Sequence, residues 1–194
     1  GVSNVVIDRD LMPYQLPRAI VMDDEILRAC YDHGRGEWLQ LNTEPLQRGD
    51  FVGPNDQVVI GADIPAVGLQ GVPPVVVHFQ PDLDAMLRAE AEARGSSVMW
   101  GHTVTNIEDD GKKVVTNLDN GETIESRWFV GCDGASSWTR KFLGLQLEDL
   151  RFDQDWLVVD AELHEGAVVD LPVGVRQFCH MDRPFTFVQG VRRY

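Results

Sequence analysis

The stretch Trp128–Arg140 reads WFVGCDGASSWTR. Its apolar beginning predicts a strand that delivers Asp133 to its C-terminal end, where Gly134 allows a tight turn. Ser136 or Ser137 can cap a helix that follows. Ligands of open α/β sheets bind at the carboxyl ends of strands, so this turn is a candidate binding site. An ordinary capped strand-to-helix turn explains the same spacing equally well, and the residues alone leave both interpretations open.

A second acidic residue, Asp8, ends the predicted strand Gly1–Asp8. In dinucleotide-binding folds, a carboxylate at the end of the second strand accepts hydrogen bonds from a ribose. The glycine-rich turn expected before such a strand is absent from these residues, however. By itself, Asp8 is better interpreted as a turn residue. Because a glycine before a strand often ends a helix, Gly1 predicts that these residues were cut from a longer chain.

The rest of the sequence alternates helical and strand-rich segments. Pro81–Arg94 is the clearest helix, since Pro suits the first helical position and Gly95 ends the pattern. Asp110-Gly111 and Asn120-Gly121 predict hairpin turns within a meander. The other predicted helix is Glu25–Asp32, and the other predicted strands are Val58–Ile60, Val75–Phe79, Thr103–Glu108, Lys113–Leu118, Thr123–Phe129, Trp156–Leu163, Val173–His180 and Phe185–Arg192.

Composition excludes several classes of function. A net charge of −14 disfavours nucleic acids and anionic membranes as partners. The widely spaced Cys30, Cys132 and Cys179 predict reduced thiols in a cytoplasmic protein, and neither a disulfide framework nor a zinc site. The histidines lack metal-ligand spacing. Ser136 and Ser137 lack His and Asp partners of the kind found in a catalytic triad. The sequence therefore predicts neither a catalytic side chain nor a metal ligand.

The pattern D-G-x-x-S-x-x-R from Asp133 to Arg140 resembles the Asp-Gly fingerprint of flavoprotein aromatic hydroxylases, the para-hydroxybenzoate hydroxylase group. The greatest similarity is to 3-(3-hydroxyphenyl)propionate hydroxylases. Asp8 departs from the pattern, because the family usually has Glu there. Further similar stretches follow in family order: Val5–Arg9, Pro17–Ile20, Asp23–Arg28, Phe79–Leu87, Asp155–Asp160 and Val191–Tyr194.

This resemblance implies an α/β fold in which a Rossmann-like FAD-binding domain is interleaved with a β-sheet substrate domain, incomplete at both ends. Residues 1–43 and 80–148 would belong to the FAD-binding domain, the latter with the meander and the Asp-Gly motif. Residues 44–79 and 149–194 would supply sheet segments of the substrate domain. The substrate pocket would lie between those segments and the flavin.

The resemblance also assigns residues to the adenosine half of FAD. Asp8 would bind the ribose, Arg9 would lie beside the adenine, and Val104 would offer it backbone groups. Arg18 would face the pyrophosphate, whose geometry suits a guanidinium. Without the family, plainer roles fit as well: Arg9 as a surface charge, Val104 as strand core, and Arg18 paired with an acidic residue at position 23 or 24.

On the flavin half, the resemblance implies that Gln80 approaches the flavin and ribityl chain. Asp133 would contact the flavin side and influence binding of the nicotinamide cofactor. The plainer alternative for Gln80 is a helix cap. Two family segments are missing from these residues, the glycine-rich loop before position 1 and a second flavin motif after position 194. The 194 residues alone are therefore expected to bind FAD weakly or not at all, and to be inactive.

The activity implied for the parent protein is an FAD-dependent monooxygenase that uses NADH or NADPH to hydroxylate a small phenolic compound in aromatic catabolism. The flavin supplies the chemistry, and the protein supplies position and exclusion of water. A homo-oligomer is also compatible with this interpretation. Two alternatives stay open: another flavin oxidoreductase, such as an epoxidase, a halogenase-like enzyme or a reductase, and a non-catalytic binding module on the same scaffold.

Overall fold

The computed structural model describes residues 2–151, 153–164, 166–167 and 170–191. The chain divides into two compact units, and each is assembled from two separate stretches of sequence. The first unit comprises residues 1–13 and 90–157, and the second comprises residues 14–89 and 158–194. The division into FAD-binding and substrate segments given above stays a prediction.

The chain mixes short strands with helices. The strands are β1 (Val5–Asp8), β2 (Val21–Asp23), β3 (Thr43–Pro45), β4 (Arg48–Val52), β5 (Val58–Asp63), β6 (Val75–His78), β7 (Ser97–Trp100), β8 (Val104–Asp109), β9 (Val114–Leu118), β10 (Thr123–Ser126), β11 (Val175–Phe178) and β12 (Phe185–Val188). The helices are α1 (Asp24–Asp32), α2 (Gly36–Asn42), α3 (Gln80–Ala93) and α4 (Trp138–Phe142).

In the first unit, β1 pairs in parallel with β7, and β8, β9 and β10 form an antiparallel sheet. The predicted hairpin turns are confirmed, with Gly111 and Gly121 at positive φ. The middle strand β9 buries Val114, Thr116 and Leu118, which alternate along it as expected for a strand with one covered face. The meander comprises β8, β9 and β10, and β7 belongs to the sheet with β1.

One predicted strand is too long, and another is wrong. The strand Thr123–Phe129 ends at Ser126, so residues 127–133 reach the Asp-Gly turn outside any strand. The segment Trp156–Leu163 forms no strand and leaves Trp156 75% exposed. A run of β-forming residues needs a neighbouring strand for its backbone groups and a layer to cover it. Neither exists for these segments among the described residues.

The second unit contains two sheets. One has the order β2-β6-β3, and the other has the order β12-β11-β4-β5 with β11 and β4 parallel. The helices α1 and α3 were predicted to within one residue, while α2 and β4 were missed. The predicted strand Phe185–Arg192 is confirmed only as far as Val188, and residues 192–194 lie outside the described residues. The core packs α1, α2 and α3 against β2 and β6 through Met22, Leu27, Cys30, Leu39, Val76 and Leu83.

Candidate functional site

The Asp-Gly turn folds around the carboxylate of Asp133. Its Oδ2 accepts a hydrogen bond from the backbone N–H of Thr139 at 2.8 Å, and its Oδ1 accepts one from the hydroxyl of Ser137. The hydrogen bond from the Ser137 hydroxyl has the larger effect and that from the Thr139 amide the next largest, and both hold the pKa of Asp133 well below its usual range. Gly134 has positive φ and no atom within 4 Å of the position that a Cβ would take. A ligand can therefore approach the backbone there.

The same turn caps α4. The Ser137 hydroxyl oxygen accepts a hydrogen bond from the backbone N–H of Arg140 at 3.0 Å, as an N-cap residue does. The Arg140 guanidinium donates to the carbonyl of Ala135 at 2.9 Å and does not pair with Asp133. This short network fixes the turn with the Asp133 side chain exposed.

Asp8 ends β1 opposite Trp100 of β7 and is half-buried. Its Oδ1 accepts a hydrogen bond from the Asp10 amide at 3.0 Å, and its carbonyl accepts one from the His102 amide at 3.1 Å. Among the described residues, no group donates to Oδ2. This oxygen is thus available to a hydroxyl group of a ligand. Arg9 follows it and is exposed.

Val104 begins β8 and is half-buried opposite Leu118. The pairing between β8 and β9 shifts register between Val104 and Asn106, so Thr105 is the extra residue of a β-bulge. A bulge leaves backbone groups without a ladder partner. The residue left out of the ladder is Thr105, the neighbour of Val104, so the role of Val104 in offering backbone groups stays a prediction. The sequence contains no signal that predicts this bulge.

Arg18 and Gln80 are brought together. The Gln80 Oε1 accepts hydrogen bonds from the backbone N–H groups of Arg18 at 2.7 Å and of Ala19 at 2.8 Å. The exposed Arg18 guanidinium lies over the ring of Tyr14, 4.3 Å from its centroid. The alternative pairing of Arg18 with an acidic residue at position 23 or 24 is therefore wrong. The alternative that Gln80 caps a helix is also wrong, because its Oε1 accepts hydrogen bonds from the amides of Arg18 and Ala19.

The candidate residues fall in both units. Asp8, Arg9, Val104 and Asp133 belong to the first unit, and Arg18 and Gln80 to the second. Within the first unit, no hydrogen bond or ion pair joins Asp8 to Asp133, and both residues are described. Sequence reasoning missed Tyr14, which precedes Arg18 by four positions in a proline-containing connection.

Sequence reasoning also missed a buried carboxylate in the second unit. The Asp50 side chain is 2% exposed and lies between two guanidinium groups. Its Oδ1 lies 2.8 Å from the Arg48 Nε, and its Oδ2 lies 3.5 Å from the Arg176 Nε. The contact between Arg48 and Oδ1 is an ion pair with a buried carboxylate. The Arg48 Nη1 pairs separately with Asp63.

The described residues contain no group of three or more His, Cys, Asp or Glu side chains that could hold a metal ion. Across the same residues, no helix combines the length and the apolar character needed to cross a membrane.

The sequence matches the family model of the FAD binding domain over residues 1–179. The chain belongs to this family. It is 32% identical over 195 residues to a probable NADH-specific resorcinol 4-hydroxylase of Rhodococcus jostii (strain RHA1), covering 97% of this chain and 36% of that protein. It is 30% identical over 162 residues to a 3-(3-hydroxy-phenyl)propionate/3-hydroxycinnamic acid hydroxylase of Mycobacterium sp. (strain JLS), covering 82% of this chain and 28% of the relative.

Solved structures of flavin enzymes share the fold. The p-nitrophenol 4-monooxygenase PnpA from Pseudomonas putida DLL-E4 superposes with a TM-score of 0.64 at 19% identity, over 74% of this chain and 38% of that one. The flavin-dependent monooxygenase PieE, solved with FAD and substrate, gives a TM-score of 0.61 at 19% identity, over 74% of this chain and 28% of that one. The interleaved α/β flavoprotein fold expected from the sequence is confirmed.

The local geometry of the chain fits the family cofactor, FAD. Asp8 has a free carboxylate oxygen at the end of a parallel strand, and Gly134 leaves its backbone approachable. Arg18 presents a guanidinium on a segment anchored by Gln80. Each feature by itself is of a type that a dinucleotide contacts, and the roles expected of these residues stay predictions.

Proposed function

We propose that the whole protein containing this chain is an FAD-dependent monooxygenase that hydroxylates small phenolic compounds at the expense of NADH or NADPH. The family match over residues 1–179 carries the proposal. Relatives of 32% and 30% identity, both named as hydroxylases of phenolic compounds, support the substrate class. The chain spans 36% and 28% of their lengths, about a third.

The cofactor contacts follow from the local geometry. Asp8 would accept hydrogen bonds from the ribose through its free Oδ2, with Arg9 and Val104 beside the adenine. Arg18 would pair with the pyrophosphate as a charged donor. Asp133 would lie on the flavin side, where its low pKa keeps it ionised at neutral pH.

Gln80 would also lie near the flavin. It begins α3, and its side chain is half-buried. FAD, when bound, supplies the oxygen-transfer chemistry. The residues of this chain then bind it, orient it and keep water away.

The substrate segments, residues 44–79 and 149–194, would contribute the sheet β12-β11-β4-β5. The rings of Phe178 and Phe185 stack on it at 4.3 Å between centroids, nearly parallel. An aromatic surface of this kind suits a phenolic ring. Of these two nicotinamide cofactors, NADH has the support of the name of the Rhodococcus relative, which specifies it. The free thiols of Cys30, Cys132 and Cys179 support a reducing, cytoplasmic location.

The test is an assay of the whole protein. Purified protein should show a bound-flavin absorption spectrum and oxidise NADH faster when a phenol is present. Mass spectrometry should then find a product one oxygen atom heavier than the phenol. Flavin binding with NADH oxidation but no oxygenated product would point to a reductase. An absence of flavin binding would point to a binding module without a cofactor.

A further inference from the structure

The backbone ladder between β2 and β6 stops short of Arg18. Val21 pairs with Val77, and the His78 amide donates to the Ile20 carbonyl at 2.9 Å. Beyond His78 the chain enters α3, so no strand carbonyl faces the next amides on the other side. The backbone N–H groups of Ala19 and Arg18, both exposed residues, therefore have no acceptor from the ladder.

The side chain of Gln80 takes the place of the missing strand. Its Oε1 accepts from Arg18 and Ala19 at 2.7 and 2.8 Å, across a sequence separation of more than sixty residues. An amide oxygen has two lone pairs, and both are then occupied. The Gln80 Nε2 lies 3.4 Å from the Asp84 Oδ2, one turn along α3, which sets the orientation of the amide group.

These contacts assign Gln80 a different role from direct recognition of the flavin by its oxygen. We propose that Gln80 is a positioning residue, which acts on FAD by holding the Arg18 segment so that the Arg18 guanidinium meets the pyrophosphate. The inference rests on the proposed FAD site. The stacking of the Arg18 guanidinium on the Tyr14 ring restrains the Arg18 side chain. Gln80 holds the backbone of the same residue, so the two contacts act together.

The variants separate this role from general damage to the fold. Gln80→Leu keeps the approximate volume and removes the acceptor. Gln80→Glu combined with Asp84→Asn restores the acceptor oxygen, and the new amide at position 84 removes repulsion between two carboxylates. Gln40→Leu, at an exposed glutamine of α2, is the matched control. Arg18→Ala and its combination with Gln80→Leu complete a double-mutant cycle.

Two readouts are used on the whole protein. The first is amide hydrogen exchange at Arg18 and Ala19, which does not depend on any flavin. Gln80→Leu should accelerate it, and the double variant Gln80→Glu with Asp84→Asn should restore protection. The second is the dissociation constant for FAD and for riboflavin, which lacks the pyrophosphate. Gln80→Leu should weaken FAD binding about tenfold, leave riboflavin binding unchanged and add little to Arg18→Ala.

Other outcomes overturn the inference. Unchanged exchange at Arg18 and Ala19 would show that Gln80 does not hold the segment. An equal loss of affinity for riboflavin and FAD would assign Gln80 to the flavin or ribityl chain directly. If the unsubstituted protein binds no FAD, the proposed function itself fails, and with it the action of Gln80 on the cofactor. That failure is recognised before any variant is compared.

Discussion

The Asp133 Oδ2 accepts a hydrogen bond from the backbone N–H of Thr139 at 2.8 Å, so the Asp-Gly turn closes on its own carboxylate. The Ser137 hydroxyl donates to the other oxygen and caps α4 at the same time. The turn therefore keeps its shape through local bonds while Asp133 stays exposed. This arrangement presents an ionised carboxylate without dependence on a distant partner.

The Asp133 carboxylate should make stability depend on pH in acid. The hydrogen bonds from Ser137 and Thr139 lower its folded pKa, so its contribution is complete above the unfolded pKa of about 4 and is lost as the pH falls through the folded pKa. The melting temperature of Asp133→Asn should lie below that of the unsubstituted protein at neutral pH. That difference should shrink below about pH 4. Asp155→Asn, at an exposed position, is the control. A difference that stays constant across this range would contradict the account.

Loss of the buried Asp50 carboxylate should lower the free energy of unfolding more than loss of the exposed Asp63 carboxylate, although both pair with Arg48. Asp50→Asn leaves Arg48 and Arg176 beside a buried neutral group and should cost about 1–3 kcal/mol, since both guanidinium groups keep access to water. The Asp63 side chain is 83% exposed, and Asp63→Asn should change stability by less than about 0.5 kcal/mol. Urea denaturation measures both values. Equal effects of the two substitutions would show that burial of Asp50 contributes nothing.

The crowding at Gly174 should make it intolerant of a side chain. It has φ +82, and a Cβ there would meet the backbone carbonyl of Arg48. Gly174→Ala should lower the free energy of unfolding by about 3 kcal/mol, because the cost of positive φ for alanine adds to the cost of the clash between its Cβ and the Arg48 backbone. Gly121→Ala is the matched control, with φ +85 and no atom within 4 Å, and should cost about 1 kcal/mol. Thermal denaturation compares them, and similar losses would argue against close approach of the strands at Gly174.

The cysteines should differ in reactivity. Burial raises the pKa of the Cys30 thiol, while Cys132 and Cys179 are exposed. Alkylation at mildly alkaline pH, followed by peptide mass spectrometry, should modify Cys132 and Cys179 first because the thiolate is the nucleophile. FAD should slow the alkylation of Cys132, which adjoins Asp133, and leave Cys179 unaffected. Modification of Cys30 at the rate of the other two would contradict its place in the core.

Local sequence signals predicted the elements that local interactions form. Asp23 accepts a hydrogen bond from the Ile26 amide and begins α1, and Gly111 and Gly121 turn the meander. Residues 127–129 were misassigned to a strand, because a strand depends on a partner elsewhere in the chain. Here the local apolar pattern is present, but no strand in the described part of the chain pairs with it.

The candidate site was predictable only through whole motifs. Spacing placed Asp133 on a turn, but nothing local indicates that Gln80 reaches the amide of Arg18, which lies 62 positions away. The burial of Asp50 likewise follows from the pairing of β4 with β11, which are distant in sequence. Long-range contacts of this kind leave no periodicity in the sequence.

Calorimetric titration of FAD into the flavin-free whole protein tests the central claim most directly. The account predicts one FAD bound per chain, and a loss of about tenfold or more in affinity for Asp8→Ala and for Arg18→Ala. Gln40→Leu should bind as the unsubstituted protein does. FAD binding that is absent, or that is unchanged in both the Asp8 and Arg18 variants, would contradict the proposed cofactor site.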